Sequence, residues 1–150
     1  MPKFYRGNDI PENRKLELNL NHNSEVLIVD QYLLRAKCPM ISSVLDFQEA
    51  MSPNKDEERI KTLELPRIKL AAIEVIIDWM FTGIFSLPYE YHSSDMTIPD
   101  ICHAAALLQL TDLLKTVKSV VLEDIRKLKE KGTGKIQNPT KLLEEINKFF

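Results

Sequence analysis

The stretch from Ile68 to Phe81 constrains the fold more than any other. Its apolar residues Leu70, Ile73, Val75, Ile76, Ile77, Trp79 and Met80 occupy nearly the whole circumference of a helix. A helix that is apolar all round must be covered from several sides, so this one is expected at the centre of the domain. Gly83 follows as a suitable C-terminal cap, because glycine enters the left-handed conformation without a steric penalty. The chain has 150 residues, 44% hydrophobic and 28% charged, enough to build a single globular domain around such a helix without disulfide staples.

Two strand signals precede the helix closely enough to form a hairpin. Leu16 to Leu20 alternates apolar and polar residues, as a strand with one buried face requires, and Val26 to Val29 is an apolar run rich in β-branched residues. Between them lies N-H-N-S-E, whose asparagines tolerate turn conformations. A further alternating segment, Ile60 to Leu65, is stopped by Pro66. After Asp30 the period changes to helical, with Leu33 and Leu34 on one side of Pro39 and Ile41, Val44, Leu45 and Phe47 on the other, so two short helices are expected. Gln48 to Arg59 reads as a polar loop, and residues 1–15 as a flexible tail without helical or strand period.

The C-terminal half reads as a ladder of helices. Thr97 and Asp100 have capping-box spacing ahead of Ile101, Ala104, Ala105 and Leu108, which makes 84–96 a loop. Thr111 is a candidate cap for a helix that carries Leu113, Val117, Val121, Ile125 and Leu128 to the K-G-T-G-K break. Asn138-Pro139 opens a final helix whose stripe of Leu142, Leu143, Ile146, Phe149 and Phe150 lies opposite Lys141, Glu144, Glu145 and Lys148.

Net charge is −2, but its distribution is uneven: residues 1–114 carry 11 basic and 17 acidic side chains, and residues 115–150 carry 9 and 5. No global positive field recruits nucleic acid, and the basic residues near 126–135 are interleaved with glutamates and lack stacking aromatics. No stretch is apolar for long enough to span a bilayer, and the first residues lack the apolar core of a secretory signal. Cys38 and Cys102 are not paired in sequence, which favours a reducing compartment, cytoplasmic or nuclear. The histidines His22, His92 and His103 lack metal-ligand spacing, and K-G-T-G-K lacks both the full phosphate-loop spacing and a preceding strand. No catalytic constellation, cofactor site or metal site is expected.

Several segments, in this order, resemble a BTB/POZ domain. V-D-Q-Y-L-L-R-A-K-C-P-M-I (29–41) is similar to the family pattern small-His-basic-x-x-Leu-small-small-x-Ser-Pro-x-Phe, with Asp30 in place of the histidine and Cys38 in place of the serine. F-T-G (81–83) resembles the tyrosine-threonine-glycine that closes the family's central helix, and A-A-A-L-L-Q-L-T-D-L (104–113) its alanine-rich helix and following turn. The resemblance implies an α+β fold, a small, mainly hairpin-based sheet packed on a cluster of helices. The domain is expected over 16–122, with 123–150 resembling the start of a three-box or BACK-like helical extension.

The resemblance implies function through protein partners. One such function is a scaffold or substrate adaptor of a cullin-RING ubiquitin ligase; the other is a homodimerising or heterodimerising platform in a transcriptional or other regulatory complex. Residues 1–15 offer no amphipathic helix for the exchange that many family dimers use. The family's cullin-binding hydrophobic-x-acidic signature aligns with Ser93-Ser94-Asp95, where Asp95 keeps the acidic element and the apolar anchor is missing unless His92 or Tyr91 replaces it. Tyr89 and Tyr91, flanking Glu90, are further partner-binding candidates, since loop tyrosines are frequent interface anchors. Leu142, Ile146, Phe149 and Phe150 complete the set: their stripe is either an interface or a face folded back on the preceding helix.

Overall fold

The computed structural model describes residues 3–4, 10–51, 61–85, 91–132 and 139–149, with backbone alone at 3–4 and 91–97. Two compact units divide the chain, Met1–Leu70 and Ala71–Phe150.

The first unit is built on a four-stranded sheet in the order β1-β3-β2-β4, from β1 (Lys3–Phe4), β2 (Lys15–Leu20), β3 (Glu25–Asp30) and β4 (Lys61–Leu65). The expected hairpin is β2 and β3, antiparallel with Leu18 opposite Leu27. Its turn places Asn21, His22 and Asn23 all at positive φ, which asparagine accepts better than most residues. The Asn21 and His22 amides donate to the carbonyls of Ile68 and Pro66 at 2.9 and 2.8 Å, so the turn is fastened to the segment leaving β4. β4 lies parallel to β2. The alternation in β2 buries Leu16, Leu18 and Leu20, while on the other face the Asn19 amide donates to Glu64 at 3.0 Å. In β3, flanked on both edges, Leu27, Ile28 and Val29 are all buried.

Residues 1–15 are not without regular structure. β1 pairs parallel with β3, and a 3-10 turn covers Glu12–Arg14. A two-residue strand is too short to show a period, because backbone pairing at an open edge needs no side-chain pattern. Two helices follow β3 as expected, α1 (Gln31–Lys37) and α2 (Pro39–Met51), parted at Cys38 ahead of Pro39. α2 runs on through Gln48 to Met51, where a polar loop was expected.

The second unit is helical: α3 (Leu70–Thr82), α4 (Tyr91–Leu107), α5 (Thr111–Lys131) and α6 (Pro139–Asn147). α3 buries one broad face, Ala72, Ile73, Ile76, Ile77 and Met80. Contrary to the expectation of cover on all sides, Val75 and Trp79 are half-buried and Phe81 is exposed. Gly83 closes the helix at φ +76°, its amide 2.7 Å from the Trp79 carbonyl.

α4 starts six residues before Thr97, so the expected capping box is interior and 91–96 is helix rather than loop. Pro99 sits inside it, at the loss of one hydrogen bond, to the Asp95 carbonyl. α4 ends in a Schellman motif on a non-glycine residue: Gln109 has φ +59°, its amide donates to Ala106, and the Leu110 amide donates to Ala105 at 2.8 Å. That turn leads straight into α5, with Leu110 at the N-cap and no side-chain cap, so Thr111 is the first helical residue and not the cap. α5 runs unbroken to Gly132 at φ +68°, which places the expected 122/123 boundary inside a continuous helix. Pro139 occupies the first position of α6, where its missing N–H costs nothing.

Candidate functional site

α2 carries three faces of different chemistry. Ile41 and Leu45 point into the core and are fully buried. On one flank, Asp46 and Glu49 meet Arg35 of α1. Its guanidinium donates to Asp46 Oδ1 at 2.7 Å, to Glu49 Oε1 at 3.0 Å and, through Nε, to Gln31 Oε1 at 3.0 Å. Lys61 of β4 also pairs with Glu49. Burial first, and then the neighbouring Arg35 charge, hold the Lys61 ammonium below the ordinary lysine value in spite of that pairing. Arg35 thus ties α1 to α2, and Lys61 joins β4 to the same network through Glu49.

The other flank of α2 is apolar and open. Met40, Val44, Phe47 and Met51 recur at i, i+4, i+7 and i+11 and so lie on one side of the helix. Phe47 is 66% exposed and Met51 67%, whereas Met40 and Val44 are half-buried at the base of the stripe. Large exposed apolar groups in a row mark a surface for a partner. Tyr32, on α1 of the same unit, is 52% exposed. Its position is fixed from below: Asp30 caps α1 by accepting from the Tyr32 amide at 3.0 Å and holds Arg14 through both carboxylate oxygens, and the Arg14 guanidinium lies 5.1 Å from the Tyr32 ring centroid. Asp30, where the family pattern has histidine, thus fastens the 3-10 turn and the start of α1. Buried Gln31 adds a second fastening, donating to the Asn13 carbonyl at 3.1 Å.

The sequence-derived candidates fall into two groups. Tyr89 and Phe150 lie outside the described residues, and Tyr91, His92 and Asp95 fall in the first turns of α4, where only the backbone is described. Leu142 and Ile146 are 2% and 0% exposed, packed against α4. Phe149 is half-buried and meets His103 of α4 edge-on, with ring centroids 6.3 Å apart. Leu142, Ile146 and Phe149 therefore fold back onto α4. Sequence reading missed the α2 stripe as a surface. The signal was present, since Met40, Val44, Phe47 and Met51 keep helical spacing beside a second apolar pair, Ile41 and Leu45, and one short helix rarely buries both.

Cys102 is fully buried and its thiol is pushed up to about 11 by desolvation; burial also raises the Cys38 thiol. Both are protonated and unreactive at neutral pH. Among the described residues no three metal-ligating side chains come together, and no helix is long and apolar enough to cross a membrane.

The open flank of α2 is a surface on which another protein can pack. Residues 23–124 match the BTB/POZ domain family, and the chain belongs to that family, whose fold is a protein-interaction fold. It is similar to gigaxonin of Homo sapiens, 32% identical over 112 residues, which are 75% of this chain and 17% of gigaxonin. Gigaxonin of Mus musculus gives the same figures. The solved BTB (Tramtrack and Bric a brac) domain of human gigaxonin superposes with a TM-score of 0.54 at 26% identity, covering 71% of this chain and 75% of that one. The chain spans about a sixth of the length of these curated relatives, 17%.

Proposed function

We propose that the chain is a scaffold or adaptor in the cytoplasm or nucleus, recruiting a cullin N-terminal domain and so linking a client to a cullin-RING ubiquitin ligase. The observation that carries this reading is the open α2 stripe, with Phe47 and Met51 two-thirds exposed on a helix whose opposite flank is locked by the Arg35 network. A rigidly held apolar row loses little entropy on docking. Tyr89, Tyr91, His92 and Asp95 would form a second contact segment, and residues 123–150 the beginning of a three-box or BACK-like extension.

Calorimetric titration with a purified cullin N-terminal domain tests this. Binding by the unmodified chain is expected, weakened at least about tenfold by Phe47→Asp and less by Tyr91→Ala or Asp95→Arg. Absence of binding by the unmodified chain rejects the ligase role. A second reading has its own support: a single apolar stripe on a helix can pack on its copy across a two-fold axis. On that reading the chain is a homodimerising or heterodimerising platform in a regulatory complex, and Phe47→Asp changes the mass measured by light scattering instead.

A further inference from the structure

We draw no further inference here: the strongest candidate, the exposed apolar surface patch of Phe81 and Ile84 at the C-terminal end of α3, carries none because nothing in the structure shows what covers it.

Discussion

α2 and α6 are both short amphipathic helices with an apolar row at helical spacing, yet they use it in opposite ways. α6 has one apolar face and hides it against α4. α2 has two, hides Ile41 and Leu45, and leaves Phe47 and Met51 in solvent. The difference lies in what holds each helix. α2 is fastened on its other flank by Arg35, Asp46 and Glu49, so its outer row is not needed for folding. α6 has no face to spare. An apolar stripe in a sequence therefore becomes a surface only where a second set of contacts has already secured the element that bears it.

Substitutions can break this contrast, starting with the strongest. Leu45→Ala opens a cavity on the buried side of α2 and is expected to cost about 2–5 kcal/mol in denaturant unfolding; a loss as small as a surface change would mean that α2 is not anchored by its core face. Leu142→Ala empties a buried site between α6 and α4 and should cost about 2 kcal/mol, the lower end of the same range. Gln109→Gly relieves a left-handed residue in the exposed turn between α4 and α5 and should add about 0.5–1 kcal/mol. Its sharper readout is hydrogen exchange, in which α5 gains protection and α6 does not. Phe47→Ser should stay within about 0.5 kcal/mol of the parent while partner binding falls, the signature of a surface rather than a support.

The smallest effect is a pH dependence at the charged flank. Because the folded-state Lys61 value lies below the ordinary one, the unfolded chain binds more protons between the two, and stability rises with pH across that alkaline window. Lys61→Met should remove that part of the rise, seen as the difference between the two chains' denaturation midpoints from neutral pH upward.

Features with local causes were legible in the sequence. The β2–β3 hairpin follows from alternation, the split of α1 from α2 from Pro39, and the ends of α3 and α5 from Gly83 and Gly132. Features set by tertiary context were not. β1 is too short to carry a pattern, Pro99 hides the true start of α4 by mimicking a helix entrance, and Gln109 performs a turn normally signalled by glycine. The candidate site divides in the same way. The stripe of α6 was visible, but whether it packs on α4, on α5 or on another protein depends on which neighbour offers a matching face. The stripe of α2 was hidden by its own core residues, which account for a helix there without requiring a second apolar side.

The sheet order has a consequence for how the chain comes to be folded in time. Leu18 of β2 meets Leu27 across a hairpin that can close as soon as it is synthesised, but its other neighbour, Leu63 of β4, arrives 45 residues later. Such distant pairings close slowly. Until β4 emerges, β2 is an open edge carrying Leu16, Leu18 and Leu20, and it offers itself to any other extended chain nearby. The interval between making β3 and making β4 is thus when a nascent copy is most exposed to aggregation, and a pause in translation within α1 or α2 would lengthen it.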